Sequence, residues 1–259
     1  VFDELGASVL EVLGGEPDGF NINHGCGSTH LAALQAAVRR TGADVGIAFD
    51  GDADRCLLVD ANGEVVDGDQ ILFAIARGRH AAGTLKGPVV GTLMSNLGLE
   101  QALTEMGVPF ERTAVGDRYV MERLQATGGM LGGETSGHTL CLDRSTTGDG
   151  CVTALQVLAI MAREGKGLAD LVSGMTRCPQ VLINVPVQGD AKALMTHPSL
   201  QQAEVAESQA LAGRGRILLR PSGTEPLLRV MVEAHDADEC RQIAERLAGV
   251  VRSLAPTAD

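Results

Sequence analysis

A chain of 259 residues with 44% hydrophobic and 21% charged residues can bury a sizeable core, and about 100 to 200 residues per domain allows two domains or three small ones. The formal charge of -12 repels nucleic acid and anionic lipid, and an aromatic content of 2%, with no Trp, argues against a base-stacking or aromatic sugar-binding surface. Six cysteines without C-x-x-C spacing read as reduced thiols, no signal peptide opens the chain, and apolar runs such as LQVLAIMA fall far short of a membrane span, so the expectation is a soluble cytoplasmic protein.

The opening VFDELGASVLEVLG predicts the end of a helix closed at Gly6 and then a short strand, as if the chain began inside an element with an N-terminal portion missing. After a Gly- and Asn-rich connection, Leu31, Leu34 and Val38 recur at helical spacing, with Ser28 or Thr29 as the expected N-cap and Gly42 as the stop. DVGIAF reads as a buried strand, and CLLVDANGEVV as strand, turn and strand around Asn62-Gly63. Helix DQILFAIARGRH, strand GPVVGTL, helix LGLEQALTEMG, strand VPFERT, helix DRYVMERLQATG and strand GMLGGE then alternate as crossover connections of a parallel sheet require. GCVTALQVLAIMARE is apolar nearly all round and predicts a buried helix. From TRCPQVLINVPVQ onward the pattern becomes a strand, a helix, strands RILLR and LLRVMVEAH, and a last helix with Cys240, Ile243, Leu247 and Val250 on one face. That is a small α+β unit of its own.

Chemistry concentrates in three places. In IAFDGDADRC a buried strand runs into Asp50, Asp52 and Asp54, separated by Gly51 and Ala53. Two like charges about 5 Å apart repel by roughly 3 kcal/mol at an effective dielectric near 20, so such a cluster calls for a cation, and an all-oxygen donor set favours Mg²⁺ or a similar hard ion. An EF-hand is excluded because its sixth and twelfth positions fall on Arg55 and Ala61; a solvated acidic turn is the plain alternative. Arg55 adds a fork suited to phosphate.

In RPSGTEPLLRVMVEA, Ser222, Gly223 and Thr224 offer hydroxyls and backbone N–H groups at a loop tip, between Pro221 and Pro226, with Arg220 and Arg229 on the flanking strands, a set that suits a phosphate. In LGGETSGHTLCL, glycines surround Glu134, Ser136 and His138, which can bind sugar hydroxyls, with His138 able to move protons. VGDRYV places Asp117 at an expected helix N-cap and Arg118 on the first turn, where an anion fits; Asp149 in STTGDGCV reads as a structural cap. His24, Cys26 and His30, or His138 with Cys141, lack the paired spacing of a zinc site. No P-loop and no G-x-G-x-x-G after a strand supports nucleotide use.

A triple-Asp loop, then G-E-x-S-G-H, then R-P-S-G-T-E-P, in that order, resembles the α-D-phosphohexomutase superfamily. The stretches NINHGCGSTH, GTLMSNLGLE, VGDRYV, CLDRSTTGDG and RPSGTEPLLRVMVEA look like its phosphoglucosamine mutase branch. The resemblance implies an α/β fold with two βα-repeat domains, mixed or parallel sheets flanked by helices, the first domain incomplete, plus a C-terminal α+β domain. It implies that residues 1–67 are the remainder of the second domain, with the metal loop; that 68–177 are the third, with the sugar loop; and that 178–259 are the fourth, with the phosphate loop.

It further implies an isomerase that interconverts glucosamine 6-phosphate and glucosamine 1-phosphate through a phosphoserine and a bisphosphate, for UDP-N-acetylglucosamine and cell-wall synthesis. Mg²⁺ is then held by Asp50, Asp52 and Asp54. Arg55 and His138 take catalytic roles beside it, Glu134 and Ser136 grip the sugar, and Arg118, Arg220, Ser222, Gly223, Thr224 and Arg229 complete the substrate contacts. The partner is a phosphosugar, not nucleic acid or membrane, and a homodimer is compatible with the pattern.

Departures from that pattern are Ala53 where Gly is usual, harmless only at negative φ, and Thr135 where Gln is usual. No T-A-S-H-N serine loop occurs, so this chain alone is expected to be inactive. Phosphoglucomutase or phosphomannomutase activity, a Mg-dependent sugar phosphatase with Asp50 as nucleophile, and a non-catalytic phosphosugar-binding module stand as alternatives.

Overall fold

The computed structural model describes residues 1–187, 191–222 and 225–254, and the chain divides into two compact units, Val1–Thr176 and Arg177–Asp259. Asp3–Leu5 form a single 3-10 turn closed by Gly6 in the left-handed region, and residues 7–30 contain no helix or strand. The strand expected after Gly6 is therefore absent. Val9, Leu10 and Val12 are exposed, and a strand with no neighbour would leave its backbone groups unpaired.

Helix α1, Ala32–Thr41, stops at Gly42 with φ 68° as its sequence requires. Its N-cap is Leu31, with no side-chain hydrogen bond, rather than Ser28 or Thr29; the Thr29 hydroxyl meets His30 Nδ1 at 3.0 Å instead. Strand β1, Val45–Phe49, pairs antiparallel with β2, Cys56–Asp60, from Val45↔Asp60 to Phe49↔Cys56. Beyond the Asn62-Gly63 turn, β3, Val65–Val66, pairs back onto β2. This register leaves residues 50–55, the acidic stretch, as the loop that closes the first hairpin.

The same unit continues with α2, Gly68–Ala81; β4, Val89–Thr92; α3, Leu97–Glu105; β5, Phe110–Thr113; α4, Asp117–Thr127; β6, Leu131–Gly133; β7, Thr139–Cys141; α5, Gly150–Glu164; and α6, Leu168–Val172. The sheet order is β5-β4-β6-β7, with the first two pairings parallel and β6/β7 antiparallel. β7 has no counterpart among the elements expected from the sequence, because three residues carry too short a pattern to announce a strand. Ile71, Leu72 and Ile75 of α2 are fully buried in a core shared with Cys56, Leu58, Leu99, Leu103 and Leu131.

Two expectations for helices are corrected. Gly116, not Asp117, is the N-cap of α4, so Asp117 is its first residue and makes no cap hydrogen bond. α5 is not buried all round: Thr153, Ala154, Val157 and Ile160 face the core while Ala159, Ala162 and Arg163 are exposed, since small alanines read as apolar without needing burial. Its cap is Asp149, which accepts from Val152 N at 2.9 Å.

The second unit holds β8, Gln180–Pro186; α7, Ala191–Met195; α8, Pro198–Leu211; β9, Gly215–Pro221; β10, Leu227–Ala234; and α9, Ala237–Leu254. An antiparallel sheet of order β8-β10-β9 buries Val185, Leu228, Val230 and Val232 against α9. The helix presents Cys240, Ile243, Leu247 and Val251; Val250, expected on that face, is only half-buried, because the 3.6-residue period places Val251 there. Among the described residues, no helix is long and apolar enough to cross a membrane.

Candidate functional site

The 50–55 loop folds back tightly. Ala53 N donates to Asp50 O at 3.2 Å and Arg55 N donates to Asp50 Oδ1 at 3.1 Å. Ala53 pays for this turn with a φ of 58°, the left-handed region that costs a residue with a Cβ about 1 to 2 kcal/mol. The condition under which Ala in place of Gly would be harmless is thus not met, and strain is stored at the tip of the acidic turn. Asp50, Asp52 and Asp54 each offer one oxygen within 4.8 Å of the others.

Two further elements hold the loop. Gly150 N, the first residue of α5, donates to Ala53 O at 2.8 Å, and a Cβ there would stand 2.8 Å from Arg55 O. On the other side, the β6/β7 hairpin docks through Cys56 N to Gly137 O at 3.1 Å and an isolated antiparallel bridge between Arg55 and His138. His138 is 5% exposed; its Nδ1 lies 3.0 Å from Asp54 Oδ2, while its buried Nε2 has no hydrogen-bond partner and faces Asp117 Oδ2 at 3.9 Å. Arg55 Nε lies 3.6 Å from Asp50 Oδ2 and 3.9 Å from Asp54 Oδ1, with the side chain half-exposed.

The donor set fits a hard divalent cation. Every ligand atom is a carboxylate oxygen, and Asp54 Oδ1 is buried without a hydrogen-bond donor, as an oxygen reserved for a metal would be. Among the described residues no grouping of His or Cys offers a comparable set.

The hairpin tip, residues 134–137, turns through Gly137 N to Glu134 O at 3.0 Å, with Gly137 at φ 97°. Glu134 Oε1 accepts from Gly116 N at 3.0 Å and so ties the tip to the start of α4. Ser136 is exposed. Arg118 is also exposed, 3.5 Å from Glu122 and stacked 4.8 Å over the Tyr119 ring. Unit 1 thus gathers Asp50, Asp52, Asp54, Arg55, Glu134, Ser136 and His138 around two touching turns, with Asp117 at their margin.

Sequence reasoning missed two tethers of this assembly. One is Gly116 N on Glu134, a backbone donor that no side-chain pattern reveals. The other is Asp69 of α2, 0% exposed, whose Oδ2 accepts from Asn96 N at 2.8 Å and Thr135 Oγ1 at 2.7 Å. A second Asp two residues beyond Asp67, the N-cap of α2, was the available signal. Burial, then the charge of Asp67, pushes the Asp69 carboxyl up to about 6, against the lowering pull of its hydrogen bonds from Asn96, Thr135 and Ser95.

In unit 2, Arg220 and Arg229 stand directly opposite one another on β9 and β10. Like charges at paired positions repel, and burial and then Arg229 hold the Arg220 guanidinium below its usual value. Arg229 Nε is buried without a hydrogen-bond partner, and its terminal nitrogen lies 3.7 Å from Glu225. An anion between two such groups would answer both costs. Ser222 Oγ accepts from Glu225 N at 3.3 Å; Gly223 and Thr224 lie outside the described residues.

Comparison with known proteins gives the same frame. Family models for phosphoglucomutase/phosphomannomutase match in three consecutive pieces: alpha/beta/alpha domain II over residues 15–63, alpha/beta/alpha domain III over 67–178 and the C-terminal domain over 182–250. A phosphoglucosamine mutase of Alkalilimnicola ehrlichii is 58% identical over 257 residues, covering 99% of this chain and 56% of that protein. One of Xylella fastidiosa is 55% identical over 255 residues, covering 98% and 57%. The chain therefore spans little more than half the length of the curated relatives it matches. The crystal structure of Aspergillus fumigatus N-acetylphosphoglucosamine mutase in complex with GlcNAc-6P and magnesium shares the fold at a TM-score of 0.69 and 23% identity, covering 90% of this chain and 54% of that one. With its domain models matched in order and two units that carry this fold, the chain belongs to the phosphoglucomutase/phosphomannomutase family, the phosphohexomutases.

Proposed function

We propose that the chain carries the metal, sugar and phosphate sites of a phosphoglucosamine mutase, the enzyme that interconverts glucosamine 6-phosphate and glucosamine 1-phosphate on the way to UDP-N-acetylglucosamine. The observation that carries this reading is the joining of the acidic turn to the glycine-rich turn through Asp54 and His138, which puts cation ligands and sugar-binding groups side by side. In this reading residues 1–67 belong to the second phosphohexomutase domain, 68–177 to the third and 178–259 to the fourth.

Asp50, Asp52 and Asp54 would hold Mg²⁺, which when bound offsets negative charge on a phosphoryl group in transfer. Arg55, half-exposed beside them, contributes a guanidinium to the phosphate oxygens. With Nδ1 engaged by Asp54, His138 has Nε2 as the atom at which it exchanges a proton with a sugar hydroxyl. Glu134 and Ser136 accept from and donate to the sugar hydroxyls, and Arg118 adds a positive charge at the start of α4. Arg220, Ser222, Gly223, Thr224 and Arg229 are the groups for the phosphate that is not reacting.

The phosphoryl donor in this scheme is a phosphoserine of the region that the relatives have and this chain does not span. Its phosphoryl group passes to the free hydroxyl of the sugar monophosphate as the serine O–P bond breaks; the hydroxyl proton goes to His138 and the departing serine oxygen takes up a proton in turn. The resulting bisphosphate turns round and returns its other phosphoryl group to the serine. Assaying the chain alone and the chain preceded by a serine-bearing region, with glucosamine, glucose and mannose phosphates, tests this. Turnover is expected only with the serine region, and fastest with glucosamine phosphate. Turnover by the chain alone, or phosphate release that Asp50→Asn abolishes, would overturn it, the latter in favour of a phosphatase.

A further inference from the structure

Thr135 occupies the variable position of the glycine-rich turn, between the two residues assigned above to the sugar. Its side chain does not point to a ligand. Thr135 Oγ1 donates to Asp69 Oδ2 at 2.7 Å, with Met94 O further off at 3.4 Å, and its carbonyl accepts from Gly68 N at 3.0 Å, so its hydroxyl and its carbonyl are both engaged by the first turn of α2. The same Asp69 oxygen accepts from Asn96 N at 2.8 Å, at the N-cap of α3. One carboxylate oxygen thus joins three segments distant in sequence: the start of α2, the β4–α3 turn and the tip of the β6/β7 hairpin.

We propose that Asp69 is a positioning residue for the sugar loop: by accepting from Thr135 Oγ1 and Asn96 N together, it fixes Thr135 and thereby sets Glu134 and Ser136 before a sugar arrives. The inference rests on the phosphosugar reading for what the loop binds, not for how it is held.

A fully buried carboxylate is costly when charged, and a neutral side chain would serve the core better. Its retention makes sense if the stronger, charge-assisted bonds it makes are what the loop needs. The charged group acting on it is Asp67, in the same turn; Asn96 and Ser95 from the β4–α3 turn and Thr135 from the hairpin bring no charge, and Glu134 is turned to Gly116. Because the folded carboxyl holds its proton up to about 6, above its ordinary value, folding is favoured by protonation and stability falls as pH rises from the ordinary carboxylate range to about 6. Asp69→Asn removes that slope.

Amide NMR and hydrogen exchange on this chain test the assignment without any ligand. The Asn96 and Thr135 amides are expected to titrate with a midpoint near 6 and to stop doing so in Asp69→Asn. In Thr135→Val, exchange at the Gly68 and Gly137 amides is expected to speed up about tenfold, as for loss of one hydrogen bond, while Thr135→Ser restores it and β4 amides stay protected in all variants. Unchanged Gly68 and Gly137 exchange in Thr135→Val, or no titration in the wild type, would overturn the proposal. These readouts need no sugar, so a chain that passes them yet fails the mutase assay would discredit the functional reading alone.

Discussion

In Asp52→Asn, the rise in melting temperature that saturating Mg²⁺ gives the wild-type chain is expected to vanish, while the metal-free variant melts at the same temperature or slightly higher. Both signs come from one arrangement. The three carboxylates present oxygens within 4.8 Å of each other, and two unit charges about 4 Å apart repel by about 4 kcal/mol at an effective dielectric near 20, before solvent screening. Removing one relieves the metal-free turn and removes one of the anionic ligands that the cation needs.

Asp52 is the informative choice because it is exposed and, among the described residues, its side chain takes part in none of the hydrogen bonds that shape the loop; Asp50 accepts from Arg55 N and Asp54 meets His138. At a Mg²⁺ concentration of about 100 times Kd, binding stabilises by about 2.7 kcal/mol, equivalent to roughly 5 to 10 °C for a chain of this length. A thermal scan with and without the ion reads it. An upshift that survives Asp52→Asn would place the metal elsewhere.

The second large effect is expected at Gly68, where a Cβ would stand 2.1 Å from Glu134 O, 2.7 Å from Gly137 N and 2.9 Å from Thr135 O. All three are backbone atoms, so no side-chain rotation relieves the clash. Gly68→Ala should therefore push the glycine-rich turn off α2 and cost about 2 to 3 kcal/mol, despite alanine's better helix propensity. Urea unfolding of the variant measures this. Wild-type stability in Gly68→Ala would mean that the turn and the helix are not in the contact described.

Much of this molecule was legible in its residues. Apolar runs marked β1 and β2, the helical spacing of Leu31, Leu34 and Val38 marked α1, and Asn62-Gly63 announced the β2/β3 turn, because each of these signals is local. The acidic cluster, the glycine-rich turn and the paired arginines were also legible, as residue types with few reasons to occur together. What escaped was set by contacts between segments distant in sequence. β7 is a strand only because Leu131, Gly132 and Gly133 offer it an edge, and the segment after Gly6 is not one because nothing does. The left-handed conformation of Ala53 follows from the closure of a loop between paired strands, not from alanine. Asp69 reads as a second acidic residue at a helix start, where its charge is ordinary, until the fold buries it against Asn96 and Thr135.

The most direct test of the cation site replaces Mg²⁺ by Mn²⁺ and maps the paramagnetic broadening of backbone amide signals in the 259-residue chain. Broadening centred on residues 50–55, reaching Gly137 and His138, and reversed by excess Mg²⁺ is the predicted result. Broadening centred on any other part of the chain, or none at millimolar ion, would contradict it.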